Sequence, residues 1–162
     1  AVKRDLTNEA ETGIAAAVAA LATGALATET SRWSDVPGAN YSATVLASNS
    51  KGVPNVLFDT DAAFSALFSG AAPAAINGLS YRYVIDRMCP GPGDPAAAPN
   101  SRHCISGNTV ADVGGNARNP TMNGGAGLPT ARGPVVYRIT VRVTDARQTQ
   151  SFIQTTVKSF GS

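Results

Sequence analysis

The chain of 162 residues contains one histidine, His103. Any Ser/His/Asp or Cys/His machinery would have to run through that imidazole. It stands beside Cys104 in a Pro- and Gly-rich stretch, a poor place to hold a base against a nucleophile, and it reads as a surface loop residue. Asp59 and Asp61 offer a pair of carboxylates or a fragment of a calcium loop. An aspartate just ahead of an apolar run has a simpler use, because its side chain caps a helix by accepting a hydrogen bond from the first turn. Gly114-Gly115 and Gly124-Gly125-Ala126-Gly127 resemble a phosphate cradle only superficially, since no strand leads into them and no helix opens from them. Trp33, Tyr41, Tyr81, Tyr83 and Tyr137 would suit base stacking if they shared an open face. Tyr81, Tyr83 and Tyr137 instead fall on alternating positions among aliphatic residues and are expected to point inward. The reading is therefore of a protein that is not an enzyme and carries no cofactor and no metal.

Cys89 and Cys104 enclose fourteen residues rich in Pro, Gly and Ala. Such a segment cannot bury enough surface to hold one shape. A disulfide across it would remove roughly 3 kcal/mol of unfolded-chain freedom and would place the protein in an oxidising compartment. Two unrelated thiols are the alternative; a zinc site fits less well, because the spacing matches no zinc pattern. Net charge is +2, and Lys3, Arg4, Arg82, Arg87, Arg138, Arg142 and Arg147 are scattered, so direct nucleic-acid binding is not expected. The charged fraction of 15% lies well below the roughly 25% of an average domain. That composition, dominated by small residues, suits a protein outside the cytosol.

The elements that must position these residues are legible in part. Leu6, Ala10, Ile14, Ala17 and Leu21 recur at three- and four-residue steps, widened by Val18, which predicts a helix over 5–22 with these residues on one face. Val2 continues the stripe backward, so the helix is expected to run on upstream of the first residue, where a targeting or anchoring segment would lie. Pro37-Gly38 and Asn49–Gly52 read as turns. Tyr41–Ala47 reads as a short strand. Asp59–Ser69 reads as a second helix, capped by Asp59 or Asp61, with Phe64, Leu67 and Phe68 buried. Three alternating segments follow: Leu79–Asp86, Val135–Val143 and Ser151–Lys158, each expected to have one buried and one polar face. The last two are close enough to form a hairpin through Asp145-Ala146-Arg147. The 88–134 excursion between them is too long for an ordinary connector. The sum is a single α+β domain over 1–162, an N-terminal helix (1–24) laid on a four-stranded antiparallel sheet and closed by the 135–158 hairpin.

Two stretches resemble type IV pilins, especially minor pilins of the PilX type. One is RDLTNEAETGIAAAVAAL, Arg4–Leu21, similar to the segment that follows the membrane helix. The other is VVYRITVRVTDARQTQSFIQTTVKS, Val135–Ser159, similar to the closing hairpin. Together they cover about a quarter of the chain. The resemblance implies a pilus-assembly subunit, inserted in the inner membrane through an apolar helix half and then incorporated at the cell surface. Its partners would be other pilin subunits and the assembly platform. The assembly helix would present Leu6, Ala10, Ile14, Ala17, Val18 and Leu21, with Ala15, Ala16, Ala19, Ala20 and Ala22 letting neighbours approach. The chain departs from many pilins in having its cysteines mid-chain. The partner-contacting loop would then be the 88–134 excursion, with Arg102, His103, Arg118 and Asn119 as candidate contacts. A pseudopilin of a secretion system or an exported binding module is the alternative.

Overall fold

A computed structural model describes residues 2–70, 78–97, 100, 104–105 and 135–158, with side chains from residue 7 onward. Helix α1 (Val2–Ala22) leads, followed by β1 (Tyr41–Ser42), α2 (Asp61–Leu67), β2 (Ser80–Arg87), β3 (Val136–Thr144) and β4 (Gln150–Lys158). Short 3-10 turns at Gly24–Leu26, Thr30–Trp33, Pro37–Ala39 and Asn55–Phe58 join the first elements. The strands lie side by side in the order β1-β2-β3-β4. Pairs β2–β3 and β3–β4 are antiparallel. Pair β1–β2 is parallel, with Tyr41 opposite Ile85 and Ser42 opposite Asp86. The sheet is therefore mixed, which corrects the expectation of an all-antiparallel one. The expected strand over Tyr41–Ala47 shrinks to two residues because the chain leaves β2 at Ala43. The Ala43 N–H goes to Asp35 Oδ1, and Val45 N–H goes to the Cys89 carbonyl.

Helix α1 crosses one face of β2, β3 and β4 and lies unusually close to it. A Cβ on Gly13 would stand 2.7 Å from Val141 Cγ1 and 3.2 Å from Tyr81 Cδ2. Ala10 and Ala17, one turn to either side, are buried by the same approach, and Leu21 closes the contact. The core beneath is Tyr81, Ile85, Tyr137, Ile139, Val141 and Val143, with Tyr41 and Leu26 at its end. The inward course expected for the tyrosines holds for Tyr81 and Tyr137, while Tyr83 is half-buried. Val18, expected within the buried stripe, is 38% exposed: the small residues Ala10, Gly13 and Ala17 set the seating line and turn Val18 away from it. The helix ends where Gly24 takes φ +61°, a left-handed conformation that glycine adopts without strain. Arg32 Nη2 then donates to the orphan Leu21 carbonyl at 3.1 Å.

The opposite face was expected to be polar and open, and it is not. Segment 43–59 and α2 fold over it, burying Leu57, Phe64, Phe68 and Val84 in a second core. Asp86 and Arg138, directly opposed on β2 and β3, are buried there as an ion pair. Arg138 Nε donates to Asp86 Oδ1 at 2.9 Å, and Nη1 and Nη2 donate to the Gly52 and Leu46 carbonyls. Leu46 N–H donates back to Asp86 Oδ2. The pair thus pins the covering segment to the sheet, which is how two charges come to lie inside. Helix α2 is capped by Thr60, whose Oγ1 accepts from Ala63 N–H, and not by Asp59 or Asp61. Leu67, expected inside, is 52% exposed, because the helix buries the line through Phe64 and its C-cap Phe68. Among the described residues no helix is long and apolar enough to cross a membrane.

Candidate functional site

The disulfide Cys89–Cys104 is formed. Its first half is built into the fold: Cys89 is buried, and its carbonyl accepts from Val45 N–H at 2.9 Å. On the other half, Ile105 N–H donates to Met88 O, and the Ile105 carbonyl accepts from Val136 N–H. Arg87, just ahead, is buried with Nε on the Ala43 carbonyl and Nη2 on the Gly91 carbonyl, both at 2.9 Å. Asn100 adds a side-chain link, with Oδ1 accepting from Gly91 N–H and Nδ2 donating to Pro92 O. The start of the excursion is therefore tied down by buried polar groups. Arg102, His103, Arg118 and Asn119 lie outside the described residues.

Of the assembly-helix residues, Ala10, Ala17 and Leu21 are buried on the domain's own sheet, and Ile14 is half-buried against it. The Leu6 side chain is outside the described ones. The face left to the surroundings is made of Glu11, Thr12, Ala15, Val18, Ala19 and Ala22. The small residues are thus divided: one set seats the helix on the sheet, and another faces outward. Beside the outward set, between α1 and β4, runs a groove of about 280 Å³ lined by Val18, Leu21, Ala22, Tyr137 and Val157, with Lys158 at its rim. Glu9, one turn before Gly13, is buried on the sheet side with Oε1 unpartnered. Its charge adds to the burial that raises the Tyr81 hydroxyl above its ordinary pKa.

A second cavity, of about 360 Å³, opens where β1 stops short. Strand β2 has eight residues and β1 pairs with only two of them, Ile85 and Asp86. The Ser80–Tyr83 end of β2 therefore borders the cavity, and α2 walls it with Phe64 and Phe68. Asn40, at φ 52°, holds one end. Its Nδ2 donates to the Tyr83 carbonyl at 3.1 Å, and its Oδ1 accepts from Gly70 N–H at 2.9 Å. Two arginines share the cavity lining and are direct cross-strand partners, Arg82 and Arg142. Arg82 lies over the Phe64 ring, 4.3 Å from its centre, and pairs with Asp61. Among the described residues Arg142 donates through Nη1, to the Leu57 carbonyl at 2.7 Å, and its buried Nε has no partner. Burial, and then the neighbouring charge of Arg82, push the Arg142 pKa down, against a smaller opposing pull from Asp61.

Asp61 therefore serves as a partner for Arg82, and among the described residues no three His, Cys, Asp or Glu side chains converge as metal ligands. The arginine pair is not legible in the sequence, because the two lie on separate strands and only the β2–β3 register sets them side by side. The signal available in advance was their common placement on the polar side of each alternation. No family model, no curated protein and no solved structure matches this chain.

Proposed function

We propose that this chain is the extracytoplasmic domain of a pilin-like assembly subunit, a minor type IV pilin. It would be held in the inner membrane by an apolar helix before joining a fibre or its priming complex at the cell surface. One observation carries the reading. Helix α1 is seated on an α+β domain by one line of small residues, Ala10, Gly13 and Ala17, while Ala15, Ala19 and Ala22, with Val18 among them, remain on its outer face. A helix of that kind has one side for its own sheet and another for neighbouring helices. The element order supports it, with a leading helix, a connecting segment and a β-meander ending in the 136–158 hairpin. The disulfide supports an export route, since such bonds persist in oxidising compartments.

Partners on this reading are other pilin-like subunits and the membrane assembly platform, with no direct role for nucleic acid, cofactor or metal. Deletion of the gene, scored in parallel for surface filaments and for protein secretion, tests the reading. Loss of filaments with secretion intact supports it. Loss of secretion with filaments intact assigns the chain to a secretion pseudopilin, and no change in either removes it from both classes.

A further inference from the structure

We propose that the cavity beside β1 binds a carboxylate, gripped by Arg142 with Arg82 as the second cation. The inference is independent of the pilin reading and rests on the arrangement of charge. Arg82 and Arg142 are opposed across the β2–β3 pair, so two guanidinium groups repel each other at one end of the sheet. Asp61 offsets Arg82. No carboxylate stands within ion-pair distance of Arg142 among the described residues. The site therefore holds one cation in excess. Arg142 is half-buried, so water screens that charge only in part. Among the described residues its hydrogen bond is the one from Nη1 to the Leu57 carbonyl, and Nη2, on a side chain that lines the cavity, has no partner.

The chemistry of the ligand follows from that count. Arg82, Arg142 and Asp61 together leave one positive charge, which a monoanion balances and a dianionic phosphate would overshoot. A carboxylate carries a single negative charge and can accept a charge-assisted hydrogen bond from a guanidinium nitrogen. Ser65, Ser80 and Thr144, each with a hydroxyl, are among the residues lining the same cavity, while Phe64 and Phe68 wall it and strengthen the attraction inside. Asp61 is the built-in competitor. Its side chain is 94% exposed, so it reaches Arg82 from solvent and an incoming acid can displace it.

The carboxylate has two sources, a small organic acid or the glutamate of an extended peptide, and the test separates them. Thermal melting of the domain is followed with sodium acetate, with N-acetylglutamate amide, and with neutral acetamide, at ionic strength fixed by sodium chloride. The expected result is a Tm rise of about 3–6 °C at ten times Kd with the acids and none with acetamide. A larger response to the glutamate derivative assigns the site to a peptide, and an equal one to small acids. Arg142→Gln removes the response, and Asp61→Asn strengthens it by freeing Arg82. Equal effects of chloride and acetate overturn the proposal, as does an undiminished response in Arg142→Gln. Should Arg142→Gln fail to fold, Asp61→Asn decides, because an unchanged or weaker response there is equally fatal.

Discussion

Gly13→Ala would ordinarily stabilise a helix by about 1 kcal/mol, since alanine loses less backbone freedom on folding than glycine. At this position the added methyl has nowhere to go. Its carbon would stand 2.7 Å from Val141 Cγ1 and 3.3 Å from Cγ2, on a side chain that is fully buried in the middle of β3. Valine has one stiff torsion, so it cannot swing aside as a long side chain would. Either α1 lifts from the sheet or Val141 is forced off its rotamer, at about 1–3 kcal/mol for overpacking. Set against the propensity gain, the net expectation is a loss of up to about 2 kcal/mol, and about 4–8 °C in Tm at that upper end, using 2–4 °C per kcal/mol for a chain of this size. Val141→Ala alone creates a cavity, but combined with Gly13→Ala it receives the new methyl. The double variant should therefore be more stable than the sum of the two singles implies, by about 1 kcal/mol or more. Urea unfolding of the four proteins measures this. A stabilising Gly13→Ala, or strict additivity with Val141→Ala, would refute the seating of α1 through Gly13.

Reducing Cys89–Cys104 should lower stability by about 3 kcal/mol while a single cooperative melt and the sheet circular dichroism persist, because β2, β3 and β4 are paired without the bond. Replacement of Asp86 by Ala should cost about 3–5 kcal/mol in urea unfolding, since it strands Arg138 in the covered face, and Arg138→Met in the same chain should recover part of the loss. Tyr41, Tyr81 and Tyr83 have hydroxyl pKa values raised chiefly by burial. The folded protein then holds these protons more tightly than the unfolded chain, so their contribution is fully present below about pH 10 and is lost as pH climbs above it. Stability measured from pH 8 to 12 should fall above pH 10, with phenolate absorbance lagging that of the denatured protein; a flat profile would contradict the burial assigned to these residues.

The parts of the fold that were legible in the sequence are those with a period. The three- and four-residue steps of Ala10, Ile14, Ala17 and Leu21 mark a helix, and the alternations around Tyr81, Ile139 and Ile153 mark β2, β3 and β4. The bounds and direction of strand β1 are not legible, because two residues in parallel pairing leave no local pattern. The second core was hidden for a different reason. Asp86 and Arg138 stand on the polar side of their alternations, but segment 43–59 meets them with backbone donors and acceptors, so their burial depends on a fold-back that no periodicity encodes. Val18 shows the limit of stripe reading, since a glycine five residues earlier determines how the helix rotates on the sheet. Of the candidate site, the disulfide and the helix were visible. The cavity with Arg82 and Arg142 was not, because it exists only where a short strand leaves its neighbour uncovered.

The most direct test of the assembly reading is a cysteine placed at Val18, in the outward face of α1, in the full-length protein expressed in its own cell. Lys51→Cys, exposed on a turn away from the helix, serves as the control. The reading predicts that Val18→Cys cross-links to a neighbouring subunit in sheared surface filaments and resists a soluble maleimide there, while Lys51→Cys is labelled freely. Equal, complete labelling at both positions with no cross-linked product would mean that α1 faces water in the working protein, and the subunit assignment would fall.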